Sequence, residues 1–324
     1  MLNKELLNKA ASQGIISKDQ VTALLAFNKQ ESTSADSGGE EHLRFVRGFG
    51  DVFITLGVIL VAVSFNLIGL DGYYYAIPIT AFIISAEWLV RVRRLALPGI
   101  ALLICIIYFV NQFFAVTGQE KSLINLSIIT ATSFSFYLRY KMPFSLLPAA
   151  ASIIAMLVYA TGTDIMQHPF ILSVYGVLLF TIAMWFDARD IKRQSYLSDS
   201  AFWLHLLAAP LIAHGIMVTL LLAEHGNVLS NFRDIFIVGF FALFFLTALF
   251  VDRRALLISS TSYAIYAITQ ITKGQFADVQ SLIAFVFMAF GIFVVLFGTY
   301  WYKARSLVFG WLAGSRVARF VPGF

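Results

Sequence analysis

The chain carries one cysteine, Cys105, in 324 residues, so no disulfide framework and no cysteine-built metal site can exist within it. Charge is equally scarce: Asp, Glu, Lys and Arg make up 13% of the residues, against about a quarter in soluble proteins. A secretory leader is not expected, because the first 50 residues are polar and the first long apolar run exceeds a signal-peptide core. No run of lysine and arginine with interleaved aromatics occurs, which excludes a nucleic-acid surface. The usual catalytic signatures are missing too: no H-E-x-x-H, no G-x-S-x-G, no phosphate-binding glycine loop and no clustered aspartates. His205 and His214 stand nine residues apart on opposite faces of one helix, so they cannot share a haem or a metal. These absences argue against an enzyme and against any cofactor.

Apolar length fills the space the absences leave. Hydrophobic residues reach 59%, with 32 phenylalanines. They fall in ten stretches, near 51–70, 73–90, 97–117, 121–138, 144–162, 169–187, 199–222, 231–251, 254–272 and 279–301, most of them close to the ~20 residues a helix needs to cross a bilayer. Basic residues crowd every second gap and both ends: Arg91, Arg93, Arg94, Arg139, Lys141, Arg189, Lys192, Arg193, Arg253 and Arg254 lie between stretches, with Arg44 and Arg47 before the first and Lys303 and Arg305 after the last. With the terminal segments, 20 of the 23 basic residues fall on one side. The expected fold is therefore an all-α, ten-span transmembrane bundle with cytoplasmic N- and C-termini, preceded by a short soluble hairpin. Tyr73, Tyr74, Tyr75, Trp301 and Tyr302 read as interfacial anchors, and the glycines at seven-residue spacing (Gly50, Gly57, Gly291, Gly298) read as close helix packing.

Residues 1–30 divide into two amphipathic helices. Leu2, Leu6 and Leu7 form one stripe; Val21, Leu24, Leu25 and Phe27 form the other. Gly14 suits the end of the first helix, and Ser17 with Gln20 predicts a capping box opening the second. An acidic Ser/Gly-rich linker spans 31–44, the bundle 45–302, and an amphipathic cytoplasmic tail 303–324. The hairpin either packs on its own bundle or docks a partner, as a homo-oligomer contact or for a cytoplasmic protein. The run L-x-x-A-x-x-x-G-I-I-S-x-x-Q-x-x-x-L-L (Leu7 to Leu25), followed by G-x-x-x-x-x-L-G-V-I-L (Gly50 to Leu60) and Asn66, resembles a bacterial domain-of-unknown-function family of polytopic inner-membrane proteins. The chain departs from that pattern at Phe65-Asn66-Leu67, where an Asn-Trp pair is usual. The resemblance implies a multi-pass protein of the bacterial inner membrane and no particular reaction.

Polar side chains inside apolar stretches are the remaining clue, because lipid cannot satisfy them. In the ninth stretch Ser259, Ser262, Tyr263, Tyr266, Gln270 and Lys273 share one helical face, either as glue between helices or as the lining of a wet cavity. Asn66, Asn111, Gln112, Asn125, His214 and Gln270 all fall in the outer halves of their stretches, where they could converge on a polar cavity or pair between neighbours. Glu87, Asp187 and Asp252 sit at inner ends with arginines close behind. Interfacial ion pairing is one account of them, and proton coupling through Glu87 the other. Two copies of F-x-x-A-x-x-x-D-x-R, Phe180 to Arg189 and Phe245 to Arg254, hint at a duplicated two-helix unit. Two readings follow: a transporter or permease-like protein for a small solute, its cavity lined by the ninth span, or a membrane scaffold that recruits a partner through residues 1–30. In either, the bilayer is the first partner.

Overall fold

Helix occupies each of the ten apolar stretches, and no strand occurs among the described residues. The computed structural model describes residues 4–25, 48–118, 122–191, 193, 195–221, 233–272, 278–312 and 315; at some helical positions, Ser259 and Gln270 among them, only the backbone is described. The linker 31–44 and the tail residues Arg316, Arg319, Phe320 and Phe324 lie outside the described residues.

Residues 4–25 belong to a compact unit of their own. Its helices are α1 (Lys4–Ser12) and α2 (18–25). Gly14 takes the left-handed conformation that ends α1. Ser17 and Gln20 close the capping box reciprocally: the Gln20 amide donates to Ser17 Oγ (3.1 Å), and the Ser17 amide donates to Gln20 Oε1 (2.8 Å). Leu7 and Val21, one from each stripe, are buried.

The second unit holds the long helices: α3 (Phe49–Ile68), α4 (Gly72–Val92), α5 (Ala96–Val116), α6 (Leu123–Tyr140), α7 (Pro143–Thr161), α8 (Phe170–Arg189), α9 (Tyr196–Leu221), α10 (Arg233–Val251), α11 (Ala255–Thr272) and α12 (Val279–Phe309). Seven of them (α3, α4, α5, α7, α8, α9 and α12) are long and apolar enough to cross a membrane. Helices α6 and α11 are diluted by hydroxyl residues, but many of these satisfy themselves. Ser127, Thr130, Thr261, Thr269 and Thr272 each donate to the carbonyl four residues back, which removes the cost of placing a hydroxyl away from water.

Two helices organise the packing. About 50% of α5 and of α9 is buried, against 11% of α3 and of α12. Leu102, Leu103, Ile106 and Phe109 of α5 centre one apolar core with α3, α4 and α6; Ala208, Ala209, Ile212 and Met217 of α9 join α7, α8, α10 and α11. Exposed apolar side chains such as Phe53, Leu60, Phe287 and Val295 cover α3 and α12, as lipid-facing surfaces require. The heptad glycines are a correction. A Cβ at Gly50, Gly57, Gly291 or Gly298 would meet nothing within 4 Å, because these positions lie on the two least buried helices. Spacing defines a face, but not whether a neighbour covers it.

The turns distinguish the two ends of the bundle. At one end Gly69, Gly118 and Gly162 close α3, α5 and α7 with positive φ. At the other, the four turns after α4, α6, α8 and α10 place Arg94, Lys141, Arg193 and Asp252 in the same left-handed region, each at a cost of about 1–2 kcal/mol that glycine would avoid. Helix α12 breaks at Tyr300 (φ −106°, ψ 20°) and then continues to Phe309. The expected start of a surface tail at 303 is thus part of this helix, and Arg305 turns inward and is buried. At its other end Asp278 caps α12. The Ser281 amide and hydroxyl hold its carboxyl below the usual carboxylate range.

Candidate functional site

The α8–α9 seam is built from small residues. Gly176 lies so close to α9 that an added Cβ would come within 2.8 Å of the Ile212 amide nitrogen, and one on Gly215 would come within 2.6 Å of that of Ser173. Ser173 Oγ donates across the seam to the Ile212 carbonyl at 3.0 Å. Backbones this close let short side chains meet, and at the end of the seam that carries the charged turns they hold a buried ionic centre.

Asp187 of α8 and His205 of α9 are both 0% exposed, with Asp187 Oδ2 3.0 Å from His205 Nε2. Arg253, from the α10–α11 turn, donates to both Asp187 oxygens, Nη2 to Oδ1 and Nε to Oδ2 (3.3 Å). The same Nη2 also reaches the Ser198 carbonyl and hydroxyl, each at 3.1 Å. Asp252, one residue before Arg253, anchors the other half. Its Oδ1 accepts from Trp301 Nε1 (2.7 Å), and its Oδ2 pairs with Arg193 (3.0 Å) and Arg305 (3.8 Å). Arg193 also donates to the Asp252 carbonyl at 2.8 Å, and Arg305 to the Phe250 carbonyl at 3.1 Å. Two carboxylates, three guanidiniums and an imidazole thus tie α8, α9, α12 and the α8–α9 and α10–α11 turns together. Charges so far from water persist only when paired and hydrogen-bonded throughout.

The two F-x-x-A-x-x-x-D-x-R copies make matching contacts here. Phe180 lies against the His205 ring (5.0 Å between centroids), and that ring is bonded to Asp187; Phe245 lies against Trp301 (6.3 Å), which is bonded to Asp252. Ala183 and Ala248 are both fully buried. The pairing is reciprocal: an arginine of the second turn neutralises the first aspartate, and Arg193 of the first turn neutralises the second. The arginines two residues after each aspartate, which looked like the obvious partners, point elsewhere. Arg189 stacks on Trp185 at 3.5 Å, and Arg254 lies over Trp301 and Tyr302. Positions i and i+2 of a helix do not face each other.

The residues singled out by the sequence separate into pairs. Tyr108 donates to Asn66 Oδ1, joining α5 to α3. Asn125, fully buried, donates to Asn111 Oδ1 at 2.9 Å, and Asn111 donates to the Ile107 carbonyl at 3.0 Å, joining α6 to α5. His214 meets the Tyr263 hydroxyl, joining α9 to α11. Gln112 is half-buried and Ser262 exposed, while Tyr266 packs with Tyr263 against Met217, Leu220 and Ile237. The side chains of Ser259 and Gln270 and the whole of Lys273 lie outside the described residues. Glu87, half-exposed at the start of a widened, π-helical turn, holds Arg139 through two bonds (3.0 and 3.2 Å), Arg91 (3.2 Å) and the Tyr140 hydroxyl (3.0 Å). His205 and Arg253 were missed as site residues. The signal available was the small-residue face Ser198, Ala201, His205, Ala208 that the histidine interrupts.

Of the side-chain types gathered here, imidazole is the one that can serve as either proton donor or proton acceptor, so His205, bonded to Asp187 and lying against Phe180, is the group of the centre suited to proton exchange. Among the described residues, fold and centre together define a helical bundle with seven helices fit to cross a membrane and an ionic knot at one end of its second half. No protein-family model, no curated protein and no solved structure matches the chain.

Proposed function

We propose that this is a ten-span transport protein of the bacterial inner membrane, with both termini cytoplasmic, that moves a small solute and responds to protons through His205. The single observation that carries the reading is the Asp187–His205–Arg253 centre. Ionisable groups withdrawn from water at the end of a membrane helix are expensive, and such groups recur on substrate or proton paths. The charged turns support the cytoplasmic orientation of both termini, since basic residues collect on the cytoplasmic side. The proton-responsive role falls to His205 in place of Glu87, whose carboxylate lies half-exposed among two arginines and a tyrosine. The solute path in this reading follows the face of α11 on which Ser259, Ser262, Tyr263, Tyr266 and Gln270 recur in the sequence, and along which His214 meets Tyr263. A scaffold role for residues 1–30 is the second reading, and it is favoured by the separate compact unit to which residues 4–25 belong.

The test is reconstitution of the full chain into liposomes containing the pH dye pyranine, challenged with a panel of neutral and weakly charged solutes. A solute that shifts lumenal pH with wild-type protein should lose at least tenfold of its initial rate with His205→Gln, which keeps a hydrogen-bond donor toward Asp187 but takes up no proton. A rate unchanged in the variant, or no solute-dependent shift at all, overturns the reading.

A further inference from the structure

The α4–α5 and α6–α7 turns border an open cleft of about 310 Å³ whose polar lining is Arg91, Arg94, Arg139, Tyr140 and Lys141, the four cations among them exposed at its rim, at the small end of the range in which proteins hold small ligands. Three features set these cations apart from an ordinary solvated surface. First, Arg94 and Lys141 hold left-handed backbone positions, although the turns at the opposite end of the bundle use glycine for the same conformation. A charged side chain is kept where glycine would fold more easily. Second, the charges are not balanced. Glu87 is shared between Arg91 and Arg139; Lys141 approaches the Tyr196 ring at 5.3 Å, and no carboxylate pairs with it or with Arg94 among the described residues. Third, the widened last turn of α4, with Arg93 and Leu95 bonded back to the carbonyls of Trp88 and Leu89, carries Glu87 and Arg91 together, and such turns recur at functional sites. Gly99 at the start of α5 permits the close approach: a Cβ there would lie 2.9 Å from Val90 Cγ2 and 3.0 Å from Met142 Sδ, both residues of the cleft wall.

We propose that this cleft binds a phosphate group, presented by an anionic lipid headgroup of the cytoplasmic leaflet. The net excess of cationic charge selects an anion. Guanidiniums from two different turns suit a tetrahedral oxyanion approached from two sides, and basic pockets between transmembrane helices on the cytoplasmic side take anionic headgroups. The inference draws on the ten-span reading only in placing the two turns at the bilayer surface.

Purified full-length protein in neutral detergent would be titrated calorimetrically with short-chain phosphatidylglycerol, with short-chain phosphatidylcholine as the zwitterionic control, and separately with inorganic phosphate. Wild type should bind phosphatidylglycerol with clear preference. The double variant Arg94→Gly/Lys141→Gly should bind it about 30-fold more weakly, at roughly a fivefold factor per cation. Its thermal midpoint should be equal to or above that of wild type, because glycine relieves two left-handed residues. Lipid binding that inorganic phosphate does not compete away assigns the site to a headgroup. Binding of inorganic phosphate with no lipid preference overturns the headgroup assignment and leaves a site for a free anion, without bearing on the ten-span reading. Undiminished lipid binding by the double variant overturns the proposal. An equal loss in Arg189→Gln/Arg254→Gln, whose arginines stack on aromatic rings elsewhere, overturns it as well by reducing the effect to general surface attraction.

Discussion

Arg253→Ala is expected to cost about 3–5 kcal/mol of folding stability, the range for a buried ion pair that loses one partner. The magnitude follows from what the change strands. Asp187 would keep its 0% exposure and its His205 contact but lose both bonds from the guanidinium, and the Ser198 carbonyl and hydroxyl would lose theirs. Thermal and urea unfolding of the purified protein in detergent would read the loss. The companion double variant Asp187→Leu/Arg253→Met removes both charges and should recover part of it, since apolar side chains of similar volume replace buried pairs at little cost while His205 still loses its carboxylate partner. A single variant within about 1 kcal/mol of wild type would mean that water reaches Asp187, and the proton-responsive reading would lose its basis.

Gly215→Val should be the most damaging uncharged substitution in the second half of the bundle. The first added carbon alone would stand 2.6 Å from the Ser173 amide nitrogen and 2.9 Å from the Pro169 carbonyl oxygen, backbone atoms that no rotamer change can move aside. Helices α8 and α9 must separate, which breaks the Ser173–Ile212 hydrogen bond and pulls Asp187 away from His205. A loss of about 3 kcal/mol or more is expected, at or above the upper end for overpacked cores. Gly291→Ala on α12, with nothing within 4 Å of the new carbon, should instead raise stability by up to about 1 kcal/mol, since alanine is the better helix former. Similar unfolding midpoints for the two variants would contradict the close seam.

The positions of the long helices were legible in the sequence because apolar length and basic punctuation are one-dimensional signals. Helix α8 was expected near 169–187 and runs Phe170–Arg189; α11 was expected near 254–272 and runs Ala255–Thr272. The one large difference, the extension of α12 to Phe309, came from reading Lys303 and Arg305 as surface charge. Arg305 escapes that rule because it finds Asp252 and the Phe250 carbonyl inside the protein. Partnership was much less legible than position. Asp187 meets an arginine 66 residues on and a histidine 18 residues on, separations that no local periodicity encodes, and the nearest arginine in sequence is the wrong one. The short F-x-x-A-x-x-x-D-x-R echo was the better guide, since Phe, Ala and Asp all find matching environments in the two copies. The outer-half amides illustrate the opposite limit. Sharing a depth in the helices brought Asn111 to Asn125 and Asn66 to Tyr108, but the sequence held nothing about which helix neighbours which.

Cys105 lies in the middle of α5, 8% exposed and packed among Leu102, Ile106 and Phe109. Burial among these side chains shields the native thiol from aqueous reagents, so the wild-type chain is expected to give little background in site-directed labelling. A reporter cysteine at Tyr73 (88% exposed, beside the α3–α4 turn) or at Leu307 (87% exposed, near the end of α12) would carry the only reactive sulfur in the molecule. A membrane-impermeant maleimide, applied to intact cells or to inverted vesicles, would then meet one end of the bundle at a time, with no native residue to be engineered away first.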